Sequence, residues 1–262
     1  MLSVPVQKHI SSFWMVGWRI YEWCAMWAGY AALLLLCALW MPFALVLGVV
    51  LPARQGQQFG QRMIGTGFRL YTDFLQVFCA CRFDLSDLER LPADEPLIFV
   101  ANHPSLLDAP LILSRLPNTV CVMKSGLMDN ILLGSAAKLA GYIRNDAALS
   151  MLMAMRNTLV SGSVLIFPEG TRTTHAPVNS FGNAALLVAR QTGVPVQTLL
   201  VSFDYAYLGK RWPLWRPPHL PLRVKITLGE RFVLSRQKSM SAAELRAYFS
   251  AALPQASVQQ DE

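Results

Sequence analysis

PLIFVANHPSLLD, residues 96–108, joins a short apolar run to a polar turn that contains a histidine. Its first seven residues are rich in side chains that favour strands. Four further runs of this kind follow, at residues 119–124, 163–170, 194–203 and 222–229. Helical stretches intervene at residues 105–115, 127–140, 147–160 and 180–192. Because short apolar strands alternate with helices, the sequence predicts an α/β domain with a largely parallel sheet flanked by helices.

The N-terminal part of the chain has the composition of a membrane segment. No charged residue occurs from Trp23 to Ala53, and a helix of that length exceeds the roughly 30 Å hydrocarbon core of a bilayer. Met41–Pro42 interrupts the run, because proline breaks or kinks a helix. Two shapes stay open, a single tilted or kinked transmembrane helix and a helical hairpin that dips into one leaflet. We predict a membrane anchor at residues 1–55, a globular domain at 56–253 and a disordered tail at 254–262.

The overall composition narrows the classes of partner and cofactor. Hydrophobic residues make up 53% of the chain and charged residues only 15%, which favours contact with a membrane. The formal charge of +7 indicates an anionic partner, such as an anionic lipid or an acidic substrate. The basic residues are scattered and form no recognition motif, so nucleic acid is not expected. No pair of the five cysteines has zinc-ligand spacing, and no metal site is expected.

His103 and Asp108 are the first candidates for chemistry. His103 follows a predicted strand at the edge where parallel α/β sheets bind ligands, and Pro104 suits the first position of a helix. From that helix, Asp108 can accept the N–H of one imidazole nitrogen, which leaves the other nitrogen free to take a proton from a hydroxyl. No G-x-S-x-G motif supplies a serine nucleophile. The pair therefore suits direct attack by a substrate hydroxyl, and its alternative is a solvated turn.

A second polar cluster, FPEGTR at residues 167–172, ends another predicted strand. Gly170 permits a tight turn, and the planar guanidinium of Arg172 suits a phosphate. Glu169 can orient Arg172 or another basic residue. The alternative is an ordinary turn with a solvated Arg–Glu pair, but two such clusters at the ends of parallel strands favour one shared site.

The ordered set of motifs resembles the glycerolipid acyltransferases of the 1-acylglycerol-3-phosphate acyltransferase type. NHPSLLD is similar to their H-x4-D motif, FPEGTR to their E-G-T-R motif, and GVPV at residues 193–196 to the start of their fourth motif. Lys124 and GYIRND at residues 141–146 resemble the middle motif. The resemblance implies that His103 is the general base and Asp108 its partner. It implies substrate binding by Lys124, Arg144, Glu169, Gly170, Thr171 and Arg172.

The resemblance also implies an activity, a location and partners. An acyl chain would pass from acyl-CoA or acyl-carrier protein to the hydroxyl of a lysophospholipid, in phospholipid biosynthesis, without a metal or redox cofactor. The enzyme would contact membrane lipids and its lyso-lipid acceptor. Its catalytic domain would face the cytoplasm, at the inner membrane if the source is bacterial, because thioester donors are cytoplasmic.

Three departures from the family pattern keep other functions open. TTHAPVN follows Arg172 where many members have basic residues, Gly182 replaces a lysine in FGNA, and Thr198 replaces a proline. The first two departures remove positive charge beside the expected phosphate site. The alternatives are acylation of an aminoacyl or non-phosphate lyso-lipid, a thioesterase-like hydrolase and a non-enzymatic lipid-binding protein. RWPLWRPPHLPL at residues 211–222 is either a lid, an interfacial contact with lipid or a rigid loop.

Overall fold

The computed structural model describes residues 6–92, 95–235 and 237–253, with side chains from residue 14 onward. The helices are α1 (Val6–Val50), α2 (Ala53–Phe78), α3 (Asp108–Arg115), α4 (Ser125–Met128), α5 (Ile131–Leu139), α6 (Ala148–Thr158), α7 (Ala184–Thr192) and α8 (Ala242–Ala252), with a 3₁₀ turn at Leu88–Arg90. The strands are β1 (Cys81–Asp84), β2 (Ile98–Ala101), β3 (Thr119–Met123), β4 (Ile143–Arg144), β5 (Ser163–Ile166), β6 (Val196–Phe203) and β7 (Leu222–Phe232). The tail predicted to be disordered lies outside the described residues.

The strands form one sheet in the order β1-β7-β6-β2-β5-β3-β4. Only the β6–β7 pairing is antiparallel among the strands of the described segments. The predicted α/β class with a largely parallel, helix-flanked sheet is therefore confirmed. The sequence did not indicate β1, which has four residues and closely follows α2, or β4, which has only two residues.

Alternating side chains of β2 pack into two apolar layers, one on each face of the sheet. Phe99 and Ala101 belong to the layer shared with α2 and α3, whereas Ile98 and Val100 belong to the layer shared with α6, α7 and α8. All four side chains are buried. The strand that precedes His103 is therefore held rigidly on both faces, which fixes the point where the chain leaves the sheet.

Of the two shapes predicted for the uncharged run, the structure has the single helix, and this helix forms an antiparallel hairpin with α2. Helix α1 continues through Pro42, and the chain reverses at Leu51–Pro52. The two helices run antiparallel, since the hydroxyl of Tyr21 donates to the carbonyl of Phe78 at 3.0 Å and Trp40 contacts Phe59. Helix α1 also packs against α5. Its segment Trp14–Val50 is long and apolar enough to cross a membrane by length and composition.

A glycine in α2 allows this helix to approach the end of α5. A Cβ atom at Gly60 would lie 2.8 Å from the backbone nitrogen of Ala140, which cannot move aside as a side chain can. We expect Gly60→Ala to lower the free energy of unfolding by about 1–3 kcal/mol, because overpacking outweighs the helix propensity of alanine. Thermal unfolding followed by circular dichroism in one detergent checks this.

Gly67 of the same helix is the matched control. Its nearest neighbour would be the flexible side chain of Leu36 at 3.4 Å, an ordinary contact distance. Gly67→Ala should leave the unfolding temperature unchanged or raise it. Equal unfolding temperatures for the two variants would contradict the close approach of α2 to α5.

Candidate active site

The end of strand β2 is anchored to β6 by a buried asparagine. The Nδ2 of Asn102 donates to the carbonyl of Val201, and the backbone N–H of Val201 donates to Oδ1 of Asn102, both at 2.8 Å. These two bonds extend the pairing of the strands by one step beyond β2. Because Asn102 directly precedes His103, the histidine backbone starts from a fixed position at the carboxyl edge of the sheet.

The predicted pair of His103 and Asp108 is formed. The Nδ1 of His103 lies 2.8 Å from Oδ2 of Asp108, and the backbone N–H of Ser105 donates to the same oxygen at 2.8 Å. The helix does not begin at Pro104 as the sequence suggested, because α3 starts at Asp108. The intervening turn brings the two side chains together over a five-residue spacing. With Nδ1–H donating to the carboxylate, Nε2 is the nitrogen that can accept a proton.

Burial changes the acidity of the Asp108 carboxyl. Asp108 is completely buried, and burial raises the pKa of its carboxyl to about 6, although the hydrogen bond from His103 opposes the rise. The His103 ring stacks on Phe167 with centroids 4.1 Å apart, and 19% of its side chain is exposed. The ring is therefore held on one face and reachable on another.

Glu169 braces the site from the neighbouring strand end. Its Oε1 accepts hydrogen bonds from the backbone N–H of His103 at 2.9 Å and from Oγ1 of Thr173 at 2.8 Å, and its Oε2 accepts from the backbone N–H of Asn179 at 2.9 Å. The two predicted polar clusters are thus brought together. Both carboxylate oxygens are occupied by the protein, so Glu169 orders the backbone around the histidine. Gly170 has a φ of +65°, a left-handed conformation that suits glycine in the predicted tight turn.

Arg172 and Thr171 connect the site to the loop that follows β6. The Nη1 of Arg172 donates to the carbonyls of Leu208 at 2.9 Å and Gly209 at 2.8 Å. The Nζ of Lys210 donates to Oγ1 of Thr171 at 3.0 Å. Burial lowers the pKa of Arg172, and Asp108 opposes this shift. The sequence predicts that the guanidinium of Arg172 binds phosphate, and in the structure its Nη1 group holds the loop after β6 in place.

Lys124 and Arg144 lie farther along the same edge of the sheet. They follow or end β3 and β4, which are two and three strands away from β2, or roughly 10 and 14 Å at the usual strand spacing. Nη1 of Arg144 donates to Asp129 at 2.7 Å and Nε to Asp146 at 2.8 Å, and both carboxylates raise the pKa of the guanidinium. The structure does not bring Arg144 to the histidine.

A polar cleft lies apart from the His–Asp pair. Arg144 lines this cleft together with Arg54 and Arg62 at the β4 edge of the sheet. The lining that the structure describes for this cleft contains no histidine, whereas His103 and Asp108 form a hydrogen-bonded pair that can accept a proton. Throughout the described ranges, no three His, Cys, Asp or Glu side chains cluster closely enough to hold a metal ion.

Sequence reasoning missed several residues that shape the site. Asn102 lies next to His103 of the first motif, and Phe167 lies two residues before Glu169 of the second. Their positions at the ends of predicted strands were the only sign in the sequence that they contribute to the site. Thr173 and Asn179 follow the second motif without a recognisable pattern. The carbonyls of Leu208 and Gly209 reach Arg172 from more than thirty residues downstream, and no local signal could have found them.

Comparison with known protein families agrees with this geometry. The family model described as Acyltransferase matches residues 82–202, which include both polar clusters. These residues are similar to an acyltransferase domain. The resemblance of the motifs to that family is thereby confirmed for this segment.

The relatives of the acyltransferase domain carry two kinds of name. The chain is 32% identical to the chloroplastic 1-acyl-sn-glycerol-3-phosphate acyltransferase LPAT1 of Arabidopsis thaliana over 47% of its own length and 36% of that protein. It is 28% identical to the human beta enzyme of the same name, over 66% and 64%. A lyso-ornithine lipid O-acyltransferase of Pseudomonas aeruginosa is 34% identical, over 42% and 44%. The chain thus spans less than two thirds of the length of these curated relatives.

A solved structure has the same fold. The crystal structure of the 1-acyl-sn-glycerophosphate acyltransferase PlsC from Thermotoga maritima superposes with a TM-score of 0.60, at 21% sequence identity. The likeness covers 90% of this chain and 94% of that one. The fold that surrounds the acyltransferase domain is therefore shared beyond the segment that the family model matches.

Replacing Glu169 by glutamine tests its bracing role. In the wild type, N–H and O–H donors point at both carboxylate oxygens. In the variant, an amide NH₂ group replaces one of these oxygens and cannot accept a hydrogen bond. We expect Glu169→Gln to lower the free energy of unfolding by about 1–3 kcal/mol, because a partly buried donor loses its partner. Chemical denaturation in detergent measures this. Glu89→Gln, at a glutamate whose side chain is 64% exposed, should change the value by less than about 0.5 kcal/mol, and equal effects of the two variants would argue against the brace.

Proposed function

We propose that this chain is a membrane-bound O-acyltransferase. It moves a fatty acyl chain from acyl-CoA or acyl-carrier protein to the hydroxyl of a lysophospholipid of the 1-acylglycerol-3-phosphate type. The observation that carries the proposal is the His103 imidazole, whose Nδ1 is held 2.8 Å from the buried carboxylate of Asp108. This arrangement leaves Nε2 as a positioned base at the carboxyl edge of the sheet.

The proposed reaction is a direct transfer between substrates. As the acceptor oxygen attacks the thioester carbonyl, its hydroxyl proton passes to Nε2 of His103. Asp108 stabilises the imidazolium that forms. The new C–O bond forms, the C–S bond breaks, and the imidazolium returns the proton to the departing thiolate. The products are the acylated lipid and the free thiol of the carrier.

The surroundings of the histidine favour a substrate hydroxyl over an enzyme nucleophile. Ser105 is the nearest serine in sequence, but it is buried and its Oγ accepts a hydrogen bond from the backbone N–H of Leu107 at 3.2 Å. Its hydroxyl thus supports the local turn. A thioesterase would use water in the same place, so dependence on a lipid acceptor distinguishes the two reactions.

The acceptor headgroup is proposed from the charges around the second motif. Arg172 and Lys210 supply positive charge beside Thr171, which suits a phosphate. Gly182, which takes the place of a family lysine, lies next to this motif because its backbone N–H donates to the carbonyl of Pro168 at 2.8 Å. An aminoacyl lyso-lipid is the second candidate, supported by the identity of 34% to the lyso-ornithine lipid enzyme.

Helix α1 supports the membrane part of the proposal. It packs against the domain from Tyr21 to Ala44, while large apolar side chains on its other face are exposed, including Leu35, Leu39 and Phe43. A helix held along the domain in this way suits embedding in one leaflet, with the exposed face in lipid. We place the catalytic domain on the cytoplasmic face, where thioester donors occur, at the inner membrane if the source is bacterial.

The assay uses purified full-length protein, acyl-CoA or acyl-carrier protein, and a panel of lyso-lipids that differ in headgroup. We expect acylated lipid to form, and His103→Ala to reduce its rate by about 10²–10⁴-fold through loss of the base. His175→Ala removes an exposed histidine and is the matched control. Wild-type rates in His103→Ala would exclude the mechanism, and fatty acid release that needs no acceptor would identify a thioesterase.

The pH dependence follows from the buried carboxylate. Because the pKa of Asp108 is raised to about 6, the charged partner of His103 is present above that pH and is lost as the pH falls through it. We expect kcat/KM to decrease below about pH 6, because a protonated Asp108 carboxyl no longer stabilises the imidazolium. A rate profile with saturating donor measures it.

Asp108→Asn separates catalysis from folding. The variant should lose about 10²–10⁴-fold in kcat at pH 8 because the imidazolium loses its anionic partner. It should keep or raise the unfolding temperature, since no charge then needs to be buried. A variant as active as wild type, or a wild-type profile that stays flat below pH 6, would refute the role of Asp108.

A further inference from the structure

The loop between β6 and β7, residues 204–221, presents apolar side chains to solvent. Leu214 is 56% exposed, Trp215 is 69% exposed and Tyr205 is 52% exposed. We call residues 211–216 the loop tip. Large apolar side chains that are exposed at the end of a loop do not stabilise the fold. A binding partner outside the chain therefore explains their presence better than packing within the chain does.

Positive charge accompanies these side chains. Lys210, Arg211 and Arg216 lie in or beside the loop tip, and the single acidic residue of the loop, Asp204, is at its start. Asp204 pairs with Arg223 of strand β7, away from the tip. The loop tip thus combines exposed tryptophan and leucine with uncompensated cationic residues.

The loop tip has a defined shape. The indole N–H of Trp212 donates to the carbonyl of Arg216 at 3.0 Å, and the guanidinium of Arg216 lies 4.7 Å from the centroid of that ring. The backbone N–H of Arg216 donates to the carbonyl of Pro213 at 3.0 Å. These contacts close a turn that leaves Leu214 and Trp215 at its outer end.

The two ends of the loop connect the active site to helix α1. At the first end, the carbonyl of Leu208 accepts from Arg172 at 2.9 Å and from the backbone N–H of Leu106 at 3.1 Å. At the second end, the backbone N–H of Leu220 donates to Oε1 of Glu22 in α1 at 3.2 Å. The second end of the loop therefore meets α1 at Glu22, close in sequence to the exposed Trp18 and Trp23.

From this geometry we propose that the loop tip binds the headgroup region of an anionic bilayer and holds the mouth of the active site against it. The inference rests on the proposed function at a membrane. Tryptophan and leucine suit the interface between headgroups and acyl chains, and arginine suits lipid phosphates. An acidic carrier protein would match the charge, but the exposed Trp18 and Trp23 of α1, near the contact of the loop with Glu22, favour the bilayer as the occupant.

The first test locates Trp215 directly and needs no activity. Full-length wild type and Trp215→Phe are bound to vesicles of equimolar phosphatidylcholine and phosphatidylglycerol, with either ordinary or brominated acyl chains. We expect the fluorescence difference between the two proteins to be quenched in the brominated vesicles. A difference of equal size in both kinds of vesicle would place Trp215 in water and overturn the proposal.

The second test is kinetic. The double variant Leu214→Ser/Trp215→Ser should acylate a vesicle-embedded acceptor roughly tenfold more slowly, because it loses apolar interfacial contact. It should act normally on a short-chain acceptor dissolved as monomers. The matched control is Val160→Ser/Leu187→Ser, which changes one exposed residue just after α6 and one within α7, on the opposite face of the sheet from α1. It should match wild type on both acceptors.

The remaining outcomes overturn one proposal without the other. A slower rate only with acyl-carrier protein as donor would identify the loop tip as a carrier-protein surface. An equal loss on both acceptors, or no loss on either, would also refute the bilayer contact. If wild type transfers no acyl chain at all, the proposed function fails while the fluorescence test of the loop tip still stands or falls on its own result.

Discussion

The carboxylate of Glu169 accepts hydrogen bonds from three segments of the chain, and the polar edge of the sheet is organised around it. The segments are the backbone of His103 after β2, Thr173 in the turn after β5, and the backbone of Asn179 before α7. The return bond from the N–H of Thr173 to the carbonyl of His103, at 2.7 Å, closes the connection. Two strand ends that pair through regular backbone bonds are thereby joined beyond the sheet, which gives the histidine a fixed backbone.

In the proposed mechanism, catalysis and stability make opposite demands on Asp108. A fully buried carboxylate costs free energy of folding, and its raised pKa records that cost. In return, low exposure strengthens its interaction with the imidazole and keeps water from competing for the Nδ1 proton. The backbone N–H of Ser105 and the start of α3 partly offset the burial of the charge.

Arg172 links the second motif to the loop that reaches helix α1. Through its bonds to the carbonyls of Leu208 and Gly209, this side chain positions the loop whose far end contacts Glu22 of α1. A residue of the second motif therefore has a structural role in addition to the substrate contact that the motif implies. In the proposed enzyme, the same arginine aligns the acceptor and the surface from which the acceptor arrives.

The alternation of apolar runs and helices was sufficient to predict the α/β fold, because burial on both faces of a parallel sheet leaves a local signature in each strand. The H-x4-D and E-G-T-R motifs lie at strand ends, so the sequence also predicted that their polar side chains meet, as the bonds of His103 to Asp108 and Glu169 show. The functional roles of these residues stay predictions. The sequence did not locate the start of α3 at Asp108 or the hairpin turn at Leu51–Pro52. Those depend on packing against distant helices, which overrides the local preference of proline.

The tertiary structure alone decided what each polar residue contacts. The sequence suggests that Glu169 and Arg172 bind substrate. In the structure, both carboxylate oxygens of Glu169 accept hydrogen bonds from backbone N–H groups, and Nη1 of Arg172 donates to a backbone carbonyl. Arg144 faces Asp129 and Asp146 at the far edge of the sheet. The sequence by itself determined the class of fold and the residue types available for acyl transfer. Only the folded chain decided their partners, because hydrogen bonds between residues far apart in sequence depend on strand order and loop path, for which no local pattern exists.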